Sequence, residues 1–562
     1  MVLLGLNSGF DYLGRPVDNG ASVLLADGKI IAAIAEERLS REKYAGGFAL
    51  SASRVLEIGG VRECDIDRVA VSLYQHPDVP NRISTERLRH ELPHRFHGRE
   101  IIIRSHHRSH AASAFYQSPF ERALVCVWDN EGSVIGEWEP AHFRRSERHS
   151  YYLGEGNELS LVSRELDGPD DVGFGQGYAR FTRFVGLGSY RSAGKLMGLS
   201  AYGDPQRYAM LGPLWPVAET GQLRSSMRIR DKQLSVPLLF ARQGLAAPAP
   251  GDDHGHDRQE MRDLAAYVQH QLESAAIRRL RGLLEQTGAS AICVAGGVGL
   301  NSVLNSKLQR ELGVPVYVPP HPDDTGQAMG NVLLTHISEA ASGAVHRWNL
   351  TNDMGGNYVG SDFSDCAGRV KFSSQATTTE NVVEDAADEI ASGAIVGWFQ
   401  GRSEYGARAL GHRSILADPR SAGMTARINK IKGREPFRPV APAVTSESAS
   451  QYFDIEASPL WATMSGTAAV RSRAAGSIAG AVHVDGTARP QVVEPGRRPL
   501  FHALLRAFEK RTAVPVLLNT SFNSASEPIV ETPEQACASA DRMGLDILYL
   551  SNLRFDLRRM RV

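Results

Sequence analysis

The stretch RALVCVWDNEGSVIGEWEP, residues 122–140, decides the fold class of this chain. It predicts an apolar strand that ends at Asp129, then a turn that contains glycine, then a return strand. Much the same order occurs in SVLLADGKIIAAIAEE, residues 22–37, where Asp-Gly supplies the turn of a hairpin. A third apolar strand, in SAICVAGGVGLN (residues 290–301), runs into a glycine turn and a helix. The repetition predicts an α/β protein with two similar halves in its first part.

This repeated pattern resembles the actin-like (ASKHA) architecture of ATPases and sugar kinases. In that two-lobed fold, two α/β halves close on a nucleotide, and turns at strand ends hold its phosphates. The polar, glycine-rich stretch NLTNDMGGNYVGSDFSD, residues 349–365, is the best candidate for a linker. We therefore predict an N-terminal domain over residues 1–352 and a second α/β domain over residues 370–562.

Length and composition restrict the class of protein. A chain of 562 residues is too long for one ordinary core, so two or more domains are expected. With 42% hydrophobic residues, 22% charged residues and a formal net charge of -1, it has the composition of a soluble globular protein. The charge balance does not favour nucleic acid as a partner, and no segment resembles a signal peptide or a membrane span. Five scattered cysteines without a C-x-x-C pair argue against disulfides or a cysteine zinc site. We expect a cytoplasmic protein.

A histidine cluster, RSHHRSHAASAFYQS in residues 104–118, is the first candidate site. If it is helical, His106 and His110 share one face and His107 points elsewhere. Two imidazoles need further ligands to hold a metal, and Asp129 and Asp324 follow apolar strands and can supply them. The alternative is a helix end with exposed histidine rings.

Two glycine-rich segments are candidates for phosphate or nucleotide binding. GSYRSAGKLMGLSAYG, residues 188–203, does not match a phosphate loop, because Leu196 stands where Ser or Thr would hold magnesium. A role for Lys195 would need another geometry, and a packing turn is equally credible. VAGGVGLN, residues 294–301, can present backbone N–H groups to a nucleotide or can simply be a tight strand-to-helix turn.

A basic set marks the second domain. Arginines among glycines suit phosphate or carbamoyl oxygens, because the planar guanidinium binds such groups with paired hydrogen bonds. The alternative is an ion-pair network with Glu404, Glu435 and Glu527. The set comprises Arg402, Arg408, Arg413, Lys432, Arg434, Arg438 and Arg489, beside a loop with Asn519, Ser521 and Asn523.

Six segments occur in the order found in one family: HHRSHAASAFY, GKLMGLSAYG, VAGGVGLNSVLNSKL, GRSEYGARALGHRSIL, KGREPFRPVAPAV and LNTSFN. Together they resemble the antibiotic and nodulation-type O-carbamoyltransferases over essentially the whole chain. The resemblance implies an actin-like first domain, similar to the tRNA threonylcarbamoyladenosine transferase, and a YrdC-like second domain. It further implies that the second domain makes carbamoyladenylate from carbamoyl phosphate and ATP, with Mg2+. The first domain would then pass the carbamoyl group to a hydroxyl of a small natural product.

The resemblance also implies residue roles. The metal ligands would be His106, His110, Asp129 and Asp324, with Fe2+ as the expected ion. The adenylate in the first domain would contact Gly132, Lys195, Gly296, Gly297, Val298 and Asn301, and Lys195 would also act in catalysis. ATP or carbamoyl phosphate in the second domain would contact Arg408, Lys432, Arg438, Arg489 and Ser521.

One position departs from the family. A His-Asp pair usually precedes the first hairpin, and its histidine is thought to take part in transfer, whereas this chain reads VDNGASVLL with Asn19 and Gly20. Three alternatives stay open: Asp18 or Asp11 substitutes for the histidine, the metal does more of the work, or the His-to-Asn change is engineered or marks a naturally inactive member. Asn19 and Asp18 are placed with the catalytic residues. A non-catalytic nucleotide-binding protein is one alternative, and a tRNA threonylcarbamoyladenosine synthase fusion is another. The acceptor is not readable from the loops 75–100 and 163–192, and a homodimer is expected only from symmetry statistics.

Overall fold

The computed structural model describes most of the chain. The described residues are 1–7, 18–73, 96, 98–138, 143–167, 171–227, 235–252, 255–339, 358–364 and 376–559. Asp11, most of the loop 75–100 and the greater part of the predicted linker lie outside them.

The first sheet has the strand order β3-β2-β1-β4-β5. β1 and β2 are antiparallel, as are β2 and β3, whereas β4 and β5 continue parallel to β1. The predicted hairpin at residues 22–37 is confirmed, and Asp27 and Gly28 both have positive φ at its turn. The strands are β1 (Val2–Asn7), β2 (Ala21–Ala26), β3 (Lys29–Ala35), β4 (Arg68–Leu73) and β5 (Glu100–Ser105).

The second sheet repeats this arrangement. Its members are β6 (Arg122–Trp128), β7 (Val134–Trp138), β8 (Phe143–Glu155), β9 (Glu158–Leu166), β10 (Ile292–Ala295) and β11 (Val316–Tyr317). β6 has β8 and then β9 antiparallel on one side, and β10 and then β11 parallel on the other. The prediction of two similar α/β halves is therefore confirmed.

The stretch that suggested the repeat was partly misread. β7 does not return along β6 but pairs with the first residues of β8, and β8 is the antiparallel neighbour of β6. The true return strand lies outside residues 122–140, because β7 is inserted between the two members of the hairpin.

Two helices are packed between these sheets; the first carries His106 and His110, and the second begins two residues after Asp324. His106–Tyr116 and Gly326–Glu339 lie against each other and share one apolar core with β1, β2, β6 and β10. Their contact is close, because a Cβ at Gly330 would collide with the backbone oxygen of Ser109. The other helices of the first domain are Glu36–Ser40, Ala49–Gly59, Phe174–Phe184, Ala193–Leu199, Ser235–Arg242, Gln259–Thr287 and Ser302–Leu312.

The C-terminal part is built on a sheet of order β13-β23-β22-β14-β16-β21-β17-β20, so the mixed α/β class holds there too. That this domain is YrdC-like stays a prediction. Its strands are β13 (Thr377–Thr378), β14 (Val396–Phe399), β16 (Arg413–Ala417), β17 (Ala441–Thr445), β20 (Gln491–Val493), β21 (Val516–Ser521), β22 (Ile547–Leu550) and β23 (Leu553–Asp556). Its helices are Val382–Ala391, Gly423–Lys432, Ala449–Tyr452, Ser472–Ala475, Pro499–Thr512 and Pro533–Met543. Short pairs are formed by β12 (Tyr358–Asp362) with β15 (Arg402–Glu404), and by β18 (Ala468–Ala469) with β19 (Thr487–Ala488).

The predicted linker is not wholly a linker. Its segment Tyr358–Asp362 is a largely buried strand that pairs with Arg402–Glu404 of the second domain. The domain boundaries themselves stay a prediction. Among the described residues, none of the helices combines the length and the apolar character needed to span a bilayer.

Candidate metal centre and anion site

The four predicted metal ligands converge. His106 and His110 lie one turn apart on the helix that follows β5, Asp129 directly follows β6, and Asp324 precedes the helix Gly326–Glu339. The Nε2 atom of His106 is 3.2 Å from Asp129 Oδ2 and 3.2 Å from Asp324 Oδ1. The corresponding distances from His110 are 3.1 and 3.2 Å. One ligand atom from each residue lies within 4.8 Å of all the others. The alternative of exposed rings is wrong, because both imidazoles are buried.

The four candidate ligands bring opposite charges together at a site that is largely shielded from water. Burial opposes a charge on His106, but the nearby Asp324 and Asp129 outweigh it and raise the pKa of His106 to about 10. The pKa of His110 is raised by hydrogen bonds to the same two carboxylates, also against burial. Burial alone would raise the pKa of Asp129, yet its two histidine partners hold it well below the usual range. The two carboxylates can therefore balance two positive charges, which are either two protonated histidines or one divalent cation.

The donor set fits a divalent ion of the first transition row. Two imidazole nitrogens and two carboxylate oxygens suit iron, zinc, manganese or cobalt, whereas magnesium and calcium prefer oxygen ligands alone. A residue that the sequence analysis missed completes the surroundings. Gln327 Nε2 donates to Asp324 Oδ1 at 2.9 Å, and its Oε1 atom is buried without a hydrogen-bond partner among the described residues. Its position three residues after Asp324 at a helix start was the available signal.

As predicted, His107 lies outside the group of candidate metal ligands, and it has a structural role instead. It is fully buried, and its Nδ1 atom is 2.7 Å from Ser150 Oγ on β8. A Cβ at Gly132 would collide with the His107 ring. Gly132 is therefore required for packing, and its predicted contact with a nucleotide stays a prediction.

The glycine loop after β10 lies directly against the metal group. Gly297 N–H donates to Asp129 Oδ1 at 3.2 Å. Gly296 has φ of 84°, and a Cβ there would collide with the backbone oxygen of Trp128. Asn301 caps the next helix by accepting from Leu304 N–H at 3.0 Å. The loop thus brings the predicted adenylate-binding backbone, including Val298, beside a predicted metal ligand.

Asp18 and Asn19 lie at the start of β2. Asn19 has φ of 55°, a left-handed conformation that asparagine tolerates better than most residues. The Asp18 carboxylate is buried and accepts hydrogen bonds from Tyr190 and Arg191. Burial raises the pKa of Asp18 to about 6, with a smaller contribution from Asp324. Asp18 is therefore a carboxylate that changes protonation close to neutral pH.

Part of the basic set in the second domain forms a half-buried cation cluster, which comprises Arg408, Arg434, Arg438 and Arg489. Burial lowers the pKa of Arg489 well below its usual range, and the charges of the other three lower it further. Among the described residues, Arg489 has no hydrogen bond or ion pair. Like charges held together in this way point to a bound anion.

Other members of the basic set have structural partners. Arg413 is buried, and its guanidinium donates to the backbone oxygens of Gln400 at 2.8 Å and Gly401 at 3.0 Å. Arg402 donates to the backbone oxygen of Val359 at 2.9 Å. Buried Lys432 donates to the backbone oxygen of Ser521 and to Asn523 Oδ1, the latter at 3.2 Å, while Ser521 Oγ donates to the same Oδ1 at 2.6 Å.

The two domains meet where the cation cluster faces the glycine loop. Lys195 Nζ is 2.6 Å from Glu435 Oε1, and Arg438 is 3.8 Å from the other oxygen of Glu435. Arg408 donates to the backbone oxygen of Leu300 at 3.4 Å, next to Asn301. Lys195 thus lies beside the cluster of the second domain, although it belongs to the first.

Comparisons with known proteins agree with the motif order. The family model described as carbamoyltransferase N-terminus matches residues 88–333, and the one described as carbamoyltransferase C-terminus matches residues 387–556. The nodulation protein NolNO of Sinorhizobium fredii is 32% identical over 98% of this chain and 82% of its own length. The 3'-hydroxymethylcephem-O-carbamoyltransferase of Amycolatopsis lactamdurans is 28% identical over 92% of this chain and 93% of its own. Among solved structures, an activator of 2-hydroxyisocaproyl-CoA dehydratase from Clostridium difficile covers 60% of this chain and 96% of its own, with 15% identity and a TM-score of 0.33.

The chain therefore belongs to the carbamoyltransferase family, and it is an enzyme of the transferase class.

Proposed function

We propose that this carbamoyltransferase is an ATP-dependent O-carbamoyltransferase that works in two steps at two sites. The second domain would form carbamoyladenylate from carbamoyl phosphate and ATP. The first domain would then transfer the carbamoyl group to a hydroxyl of a small natural product. The observation that carries this proposal is the cluster of four arginines in the second domain, which has only the carboxylate of Glu435 within ion-pair distance among the described residues and adjoins the glycine loop of the metal centre.

The first step needs cations rather than a nucleophile from the protein. Carbamoyl phosphate and water give carbamate and phosphate. A carbamate oxygen then attacks the α-phosphorus of ATP, which arrives with Mg2+, and the bond to pyrophosphate breaks. Negative charge on the leaving phosphates grows in this step, and arginine side chains stabilise it through charge-assisted hydrogen bonds. Arg408, Arg438 and Arg489 are suited to this role because their charges are incompletely balanced by the residues around them.

The second step needs a base and a place for the adenylate. The acceptor hydroxyl attacks the carbamoyl carbon, AMP leaves with the electron pair of the broken bond, and Asp18 accepts the hydroxyl proton. The backbone N–H groups of residues 296–298 would hold the adenylate. When bound, a divalent ion, with Fe2+ expected from the family, supplies positive charge that can polarise a carbonyl oxygen. His106, His110, Asp129 and Asp324 would hold that ion.

The proposed class of acceptor is inferred from the names of similar proteins and not from the loops of this chain. The Amycolatopsis enzyme is named for a hydroxymethyl group on a cephem, and a second enzyme of that name, from Streptomyces clavuligerus, is 28% identical over 76% of this chain. An alcohol on a small molecule is therefore the proposed acceptor.

The test is to incubate the protein with carbamoyl phosphate and ATP, with and without 3'-hydroxymethylcephem and other hydroxylated compounds. Pyrophosphate release and carbamoyladenylate are measured by coupled assay and mass spectrometry. The proposal expects pyrophosphate only when carbamoyl phosphate is present. Absence of adenylate under all conditions would end the proposal, whereas adenylate without transfer would point to the wrong acceptor or to a defect at Asn19.

A further inference from the structure

One short segment of the second domain, Glu404–Arg408, contacts both candidate sites. At one end Arg408 belongs to the cation cluster and donates to Leu300 in the first domain. In the middle, the Tyr405 hydroxyl donates to the backbone oxygen of Thr325 at 2.5 Å. Tyr405 is buried, so this hydrogen bond is shielded from water.

The acceptor of this hydrogen bond lies in the metal-ligand turn. Thr325 follows Asp324 directly, and its N–H and hydroxyl both bond Asp323 Oδ1, at 3.2 and 2.5 Å. The Tyr405 ring also packs edge-on against His321 at 4.8 Å between centroids. The turn that presents Asp324 is therefore held from outside by one residue of the other domain.

The segment that carries Tyr405 is itself fixed at both ends. Arg38 donates to the backbone oxygen of Gly406 at 3.0 Å, and a Cβ at Gly406 would collide with the backbone oxygen of Pro320. Within the second domain, Glu404 Oε1 accepts backbone N–H groups of Leu410 at 2.7 Å and His412 at 2.8 Å. A rigid segment can transmit position, because neither end is free to relax when a contact is lost.

We propose that Tyr405 is a positioning residue for Asp324, supplied across the domain boundary, and that it fixes the metal-ligand turn relative to the cation cluster. Only the activity part of its test rests on the proposed function. Groups that orient ligands from outside the coordination sphere change metal affinity or activity by about 10- to 100-fold when removed. The contact of Tyr405 is made to the backbone beside the ligand, so we expect the lower end of that range.

The experiment compares Tyr405→Phe with Tyr267→Phe. Both substitutions remove a buried hydroxyl that donates to a backbone oxygen, since Tyr267 donates to Gly212 at 2.6 Å. Both retain the ring, including the packing of residue 405 on His321. Apoprotein is titrated with Co2+, whose absorption reports binding, and thermal unfolding is measured for each variant.

We expect about tenfold weaker Co2+ binding in Tyr405→Phe and binding within twofold of the original protein in Tyr267→Phe. In the activity arm, carbamoyl transfer in Tyr405→Phe should fall by a larger factor than pyrophosphate release. Unchanged Co2+ affinity in Tyr405→Phe, or an equal loss in both variants, would overturn the proposal. If the original protein releases no pyrophosphate, the proposed function fails, while the Co2+ titration still decides the role of Tyr405.

Discussion

Replacing Arg489 by methionine tests whether this arginine binds a ligand or forms a structural ion pair. Loss of a structural ion pair lowers the free energy of unfolding, whereas loss of a ligand-binding arginine does not. In the described structure Arg489 has no hydrogen bond or ion pair, and the only charges that shift its pKa are those of Arg408, Arg434 and Arg438. Removing one of four neighbouring positive charges relieves repulsion and removes a partly buried charge that lacks a partner. Arg489→Met should therefore leave the free energy of unfolding unchanged or raise it when no ligand is present.

The same substitution should weaken anion binding strongly. Hydrogen bonds to charged groups contribute about 1.5 to 3 kcal/mol each, and about 1.4 kcal/mol corresponds to a factor of ten in affinity. Loss of one such bond to a phosphate predicts that the dissociation constant for ATP or pyrophosphate rises by roughly 10- to 150-fold. Isothermal titration calorimetry measures this constant, and urea unfolding measures stability in the same preparation.

Arg413→Met is the matched control, because Arg413 belongs to the same predicted basic set of the second domain but has structural partners. Arg413 is buried, and its guanidinium lies over the Phe399 ring, 3.6 Å from the centroid, besides bonding backbone oxygens. Its loss leaves those oxygens without donors and should cost about 3 kcal/mol or more. If Arg489→Met destabilises the protein as much as Arg413→Met and binds ATP normally, the assignment of the cluster to an anion is refuted.

Three further predictions concern the first domain. His110→Ala should weaken metal binding by more than the roughly 100-fold that groups outside the coordination sphere contribute, while pyrophosphate release persists. Metal analysis measures the first effect and the coupled assay the second; equal loss of carbamoyl transfer and pyrophosphate release would contradict the division between domains. Burial raises the pKa of Asp18 to about 6, so its base form is lost as pH falls through that value. Transfer should then decline below about pH 6. Asp18→Asn should lower transfer by about 100-fold or more above about pH 7, with a smaller deficit at lower pH, where the original protein has itself lost the base; an unchanged pH profile in that variant would exclude Asp18 as the base. Gly296→Ala should lower the urea midpoint for two reasons. A φ of 84° with a ψ of 166° is adopted almost only by glycine and costs other residues about 1 to 3 kcal/mol, and the new Cβ meets the backbone oxygen of Trp128. Gly194→Ala is its control, since nothing lies within 4 Å of a Cβ there, and equal midpoints would contradict the reasoning.

The histidine pair shows how much of the metal site residue spacing can predict. Helical periodicity places His106 and His110 on one face and turns His107 away, and the structure confirms both. Spacing cannot say which of the many aspartates meets them, because Asp129 and Asp324 come from strands and turns that join only in the folded chain. Their choice came from the family resemblance and from their positions after apolar strands.

In the basic set, residue type alone does not predict which arginines are structural and which are available to bind a ligand. Arg413 and Arg489 are both arginines in polar, turn-rich surroundings, and the sequence gives no reason to separate them. Their difference comes from the backbone around Arg413, which includes the oxygen of Ser361 on β12, a strand that was itself predicted as linker. Similarly, the rule that adjacent strands usually pair predicts β7 as the partner of β6, but β7 is an inserted strand and β6 pairs with β8.

The proposed division of the reaction between the two domains can be examined by isotope exchange. Carbamoyl phosphate-dependent exchange of labelled pyrophosphate into ATP is compared with carbamoyl transfer, before and after a chelator has stripped the metal and Mg2+ has been restored. If the domains divide the reaction in this way, exchange persists in the stripped protein while transfer to the acceptor stops, and Fe2+ restores transfer. Exchange that disappears together with the metal, or that never depends on carbamoyl phosphate, would contradict the account.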